Sequence, residues 1–112
     1  MSDSEEYKQI ELTIDQCKES IELLDALDRL RKNADWKFLI ETNYLEKEAS
    51  RLVLAKADPA LQEDAQQEQL DKMIHGVGWF RQYLHKIIQM GLQAKRTLPE
   101  HEQTREEILS EN

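Results

Sequence analysis

Residues 70–98 read LDKMIHGVGWFRQYLHKIIQMGLQAKRTL, and their spacing decides the fold class. Leu70, Val77, Leu84, Gly91 and Leu98 recur at intervals of seven, and Met73, Phe80, Ile87 and Ala94 stand three residues after the first four. That repeat marks a helix with one face buried along its length. Ile74 and Ile88 widen the stripe on one side, Tyr83 and Met90 on the other. The arc is broader than a two-stranded seam needs, so this helix is expected to lie centrally and touch at least two others. About thirty residues of helix extend about 45 Å. Leu98-Pro99 reads as its end, because proline removes a backbone N–H and crowds the preceding turn. Gly76 and Gly78 each cost about 1 kcal/mol against Ala in a helix interior. They suggest a close helix–helix approach or a kink, with a hinge as the alternative.

Two further helices are legible upstream. Tyr7, Ile10, Ile14, Cys17, Ile21 and Leu24 advance by alternating steps of three and four, a heptad seam. Ser2 and Glu5 have capping-box spacing at its start. Leu23, Leu27 and Leu30 open a second stripe before a stop at Asn33. Asp35 is placed to cap a helix that begins at Trp36. Asn43 and Glu46 have capping-box spacing, which suggests a break near Thr42. Leu45, Ala49, Leu52, Val53 and Lys56 then share a face up to Asp58-Pro59, where the residue before proline resists helix. Residues 58–69 are polar and read as a loop or the solvated start of the third helix. Thr104 and Glu107 can cap a short last helix around Ile108 and Leu109. A tail that orders on a partner is the alternative.

Composition supports an all-α fold with three main helices, a long central third helix and a possible short C-terminal helix. The 112 residues hold fifteen Leu and eight Ile but two Val. Pro plus Gly is five residues, about 4%, where about 12% is ordinary. A sheet protein needs β-branched residues and frequent turns, so sheet folds are excluded. The expected division is one helical domain over 1–98 and an acidic tail over 99–112. Fifteen basic and 23 acidic side chains give a net charge of −8, concentrated at both ends. No long apolar run is present, which argues against a membrane span. The acidic start is unlike a secretory signal, and the single Cys17 points to a reducing compartment. A cytoplasmic location is the simplest expectation.

No motif of catalytic chemistry emerges, so no enzyme activity, cofactor or metal is expected. Gly76-Val77-Gly78 follows no strand and cannot be read as a phosphate loop. Asp71 and His75 have the spacing of two ligands on one helical face, but a surface ion pair is the simpler reading. His85 and His101 read as solvated. Cys17 on the seam reads as a small apolar core residue. Arg81, Lys86, Lys95 and Arg96, with Trp79 and Tyr83, resemble a nucleic-acid surface, but the acidic balance argues against it. The acidic Glu11, Asp15, Glu19 and Glu22 of the first helix are the expected partners of these bases. Trp79 and Leu92 point away from the main stripe and meet either another helix of the chain or a partner. The candidate interaction residues are Tyr7, Ile10, Ile14, Ile21, Trp79, Tyr83 and Leu92.

The stretches from Phe80 to Gly91, from Arg51 to Pro59 and from Thr104 to Leu109 resemble segments of small helical proteins of tailed bacteriophages. The resemblance spans about residues 36–110. It implies a phage product from the virion-structure and assembly region and assigns no functional residue. It places the chain in the host cytoplasm or the virion. The expectation is a non-enzymatic interaction protein that joins a protein partner or a second copy through helical faces. An acidic inhibitor of a host defence or nucleic-acid enzyme is the alternative.

Overall fold

A computed structural model describes the backbone of residues 2–111 and the side chains of residues 4–111. It is 94% helical, with no strand among the described residues, as the composition requires. Helix α1 covers Ser2–Arg31. Helix α2, Ala34–Trp36, runs into a π-helical segment, Lys37–Glu48, and then into α3, Ala49–Lys56. A 3₁₀ turn at Pro59–Leu61 precedes α4, Asp64–Ser110. The Ser2 side chain of the expected capping box lies outside the described residues.

Asn33, rather than Asp35, caps the second helical stretch. Its backbone is extended (φ −76°, ψ 129°), and its Oδ1 accepts the Trp36 N–H at 3.0 Å. Asp35 falls in the first turn instead. The break expected near Thr42 does not occur, because the chain changes its winding there. An α-helix phased on Leu45, Ala49 and Leu52 would turn Trp36 and Ile40 outward and bring Phe38 inward. In the π-helical winding each N–H reaches five residues back. Ile40 and Tyr44 thereby join Leu45 on the packed face, while Phe38 is left 63% exposed. The helix ends before Asp58-Pro59 as expected. Asp58 is extended, and its Oδ1 accepts the Ala60 N–H at 2.9 Å.

The chain forms two compact units, one of Asp28–His85 and one of Met1–Leu27 with Lys86–Asn112. In the first, Leu45, Leu52, Leu70 and Val77 form the core, with Ile40, Tyr44, Ile74 and Phe80 packed around it. The Phe80 ring meets Tyr44 edge-on at 5.9 Å and Trp36 at 6.4 Å. Arg81 donates to the Leu45 carbonyl at 3.2 Å, and Lys56 pairs with Asp71. These pairs run in opposite directions, so α3 and the π-helical segment lie antiparallel to this part of α4. Gln67 donates to the carbonyls of Lys56 and Leu61, which ties down the connection.

In the other unit, α1 lies antiparallel to the later part of α4. Glu11 pairs with Arg105 and Asp25 with Lys95, each at 3.2 Å, and Cys17 Sγ lies 3.8 Å from Thr97 Oγ1. The stop expected at Leu98-Pro99 is absent, and residues 99–110 continue α4 rather than forming a tail. The seam explains this. Ile87, Gly91, Ala94, Leu98, His101, Arg105 and Ile108 alternate steps of four and three, and all are buried or half-buried. Pro99 lies off that seam and is exposed. An interior proline costs about 3 kcal/mol, and each fully buried aliphatic side chain returns about 1.5–3 kcal/mol. Beyond the proline, half-buried His101, Arg105 and Ile108 and the Glu11–Arg105 pair act against that cost. Thr104 does not cap a new helix, because its hydroxyl donates to the Glu100 carbonyl inside α4. His101 is half-buried rather than solvated for the same reason.

The close approach assigned to Gly76 and Gly78 occurs elsewhere. A Cβ at Gly78 would meet nothing within 4 Å, and one at Gly76 would touch only Tyr44 Oη, at 3.9 Å. A Cβ at Gly91 would lie 2.4 Å from Leu24 Cβ. Leu24 Cβ is anchored to the α1 backbone and cannot swing aside. Gly91→Ala is therefore expected to destabilise the fold by about 1–2 kcal/mol through overpacking. Gly78→Ala is expected to stabilise it by about 1 kcal/mol through helix propensity. Urea denaturation of the two variants checks the opposite signs.

Candidate interaction surface

The predicted interaction residues fall into two groups. Tyr7, Ile10, Ile14 and Ile21 lie on the seam of α1 that packs on α4 within one unit. Ile14 is fully buried (0% exposed), and the other three are half-buried. Their apolar surface is thus largely consumed inside the chain. Trp79, Tyr83 and Leu92 are exposed. Trp79 is 68% exposed and stacks on His75 of its own helix, with ring centroids 5.8 Å apart and planes at 21°. Tyr83 follows four residues later, so His75, Trp79 and Tyr83 present three rings at successive turns of α4. That stripe faces away from buried Val77 and Leu70. Leu92 lies in the other unit, in a shallow depression with Gln89, Gln93, Lys95 and Arg96.

The polar groups anticipated around these rings have other partners. Asp71 pairs with Lys56 rather than His75. Among the described residues no group of three or more His, Cys, Asp or Glu is placed to hold a metal ion. Of the four expected bases, Arg81 is engaged on the Leu45 carbonyl and Lys95 on Asp25. Of the expected acids, Glu11 reaches Arg105 instead. Cys17 is half-buried beside Thr97. At the surface, the Arg51 guanidinium hydrogen-bonds Glu48 and holds its carboxyl below the ordinary range, while Glu48 raises Arg51. A depressed carboxyl keeps its pair at neutral pH and loses it only as acid protonates Glu48.

Several exposed apolar side chains were not anticipated. Phe38 and Leu39 are turned out by the π-helical winding, and Val53 and Leu54 by the commitment of α3 to Leu52. Val53 was expected on the packed face with Leu52. It is instead 58% exposed, because two adjacent residues of a helix point about 100° apart. The signal available for Leu54 was its adjacency to Val53, since a single covering helix cannot reach three consecutive residues.

Charge is partitioned as well. The residues of the unit built from both chain ends include 13 acids and six bases, net −7. Those of Asp28–His85 include ten acids and nine bases, net −1. The exposed rings of Trp79 and Tyr83 therefore lie in a nearly neutral unit. No helix among the described residues is long and apolar enough to cross a membrane. Comparison with family models, curated proteins and solved structures gives no match to the chain.

Burial separates packing residues from free ones. Ile14→Ala is expected to cost about 2–4 kcal/mol, because it opens a cavity in a fully buried position. Trp79→Ala is expected to change stability by no more than about 0.5 kcal/mol, since the residue is mostly exposed. Thermal unfolding followed by circular dichroism measures both.

Proposed function

We propose that this protein works by association and that the exposed ring stripe of α4 is its contact surface. The observation that carries this reading is Trp79, a large apolar side chain 68% exposed next to exposed Tyr83. Aromatic rings are enriched at the centres of protein interfaces, where they supply area at low entropic cost. A structural or assembly-associated role in a tailed phage particle follows from the sequence resemblance. In that role the protein joins a virion or pre-virion component through α4. The partner is a protein, since a balance of −8 opposes a phosphate backbone.

A second reading rests on the partition of charge. The net −7 of one unit, with Asp15, Glu19 and Glu22 exposed along α1, suits an acidic inhibitor that occupies the basic site of a host enzyme. The two readings use different surfaces. Affinity capture from phage-infected cells distinguishes them. A virion or assembly component is expected with the native chain and lost by at least about tenfold with Trp79→Ala combined with Tyr83→Ala. Capture of a host enzyme that survives this double change, but is lost when Asp15, Glu19 and Glu22 become Asn or Gln, would favour the inhibitor.

A further inference from the structure

We infer that a second copy of this chain docks on the groove between the helix containing Leu45–Val53 and α4, around a two-fold axis that runs along the groove. The inference rests on the association reading but uses a different face from the Trp79–Tyr83 stripe. The groove is open to solvent, has a volume of about 430 Å³ and is lined wholly by residues of Asp28–His85. One wall carries Glu46, Ser50 and Val53, and the other carries Ile74, Gly78 and Arg81. Leu54, at 73% exposure, adjoins the first wall in sequence.

The register across the groove follows from two contacts. Arg81 reaches the Leu45 carbonyl, and Lys56 pairs with Asp71. Glu46 therefore lies level with Arg81, Ser50 with Gly78, and Val53 with Ile74. A two-fold axis along the groove exchanges the walls and preserves the levels. Each level then meets its complement in the partner copy: carboxylate against guanidinium, small against small, and aliphatic against aliphatic. This is the self-complementarity an isologous interface demands.

Three observations favour a copy of this chain over another occupant. Neither Glu46 nor Arg81 takes part in an ion pair among the described residues, so neither charge is neutralised, and the Leu45 carbonyl takes only one of the Arg81 donors. The unit is nearly neutral, whereas pairing through the other unit would bring −7 against −7. Gly78 has open space above it although glycine weakens a helix interior, and a partner seated on the groove would fill that space.

Sedimentation equilibrium of the full chain over a concentration series tests this. The native chain is expected to form a dimer. Glu46→Arg alone and Arg81→Glu alone are each expected to weaken it at least about tenfold, because each sets like charges face to face. An equimolar mixture of the two variants is expected to recover native-like affinity as a heterodimer, since every level is again complementary. Gly78→Leu is expected to abolish the dimer while circular dichroism stays native. If Arg81→Glu misfolds for want of the Leu45 contact, Glu46→Arg and Gly78→Leu carry the test, since the Glu46 side chain makes no ion pair among the described residues. A native chain that is monomeric at every concentration would overturn the inference, and so would a dimer indifferent to these changes. An apolar dye bound by a monomeric chain and displaced by Gly78→Leu would assign the groove to a small ligand instead. Loss of self-association leaves capture through Trp79 and Tyr83 untouched, so the two readings fail separately.

Discussion

A lone helix cannot bury its own apolar stripe, and α4 carries one that stretches from Leu70 to Ile108. The stripe must be covered from outside over its whole length. Within Asp28–His85 the cover comes from Ile40, Tyr44, Leu45, Ala49 and Leu52. Within the other unit it comes from the Ile14 and Leu24 side of α1, with Glu11 and Asp25 pairing at its edges. The same demand explains how α4 passes Pro99. The helix continues because its seam does, with half-buried His101, Arg105 and Ile108 working against the cost of the proline.

The second helical stretch shows what such coverage costs locally. Trp36, Ile40 and Tyr44 recur every four residues, out of phase with Leu45, Ala49 and Leu52 in an α-helix. The π-helical winding brings both sets onto α4, so that Phe80 lies against both Trp36 and Tyr44. The winding that gathers these side chains expels Phe38 and Leu39. A two-layer arrangement covers one face of each helix only. Apolar residues on the other faces, Trp79 and Tyr83 on α4 and Val53 and Leu54 on α3, stay in water unless another molecule covers them.

Charge is divided between the units, whereas both expose apolar side chains, and the charge division gives the proposed association its selectivity. The acidic unit repels its own kind and any phosphate backbone. The nearly neutral unit carries the exposed rings and the groove, where contact incurs little repulsion. Gly91 and Gly78 illustrate two uses of glycine on one helix. At Gly91 the absent side chain admits Leu24 of the same chain. At Gly78 nothing of the same chain enters the space.

Much of the fold was readable from periodicity, because a seven-residue repeat of apolar side chains has no solution other than a helix with one buried face. The all-α class, the seam from Tyr7 to Leu24 and the helix over residues 70–98 follow from that rule, and the stop before Asp58-Pro59 follows from the sterics of proline. The outward direction of Trp79 was also legible, since it stands opposite Val77 in the helical register. Tertiary contact decided the remainder. Continuation past Pro99 depends on α1 being there to pair Glu11 with Arg105, which local propensity cannot report. The winding at Lys37–Glu48 depends on Phe80 and Val77 pulling two phases of residues to one side. Whether Ile14 is free or covered depends on which helix lies against it, and only the three-dimensional packing determines that.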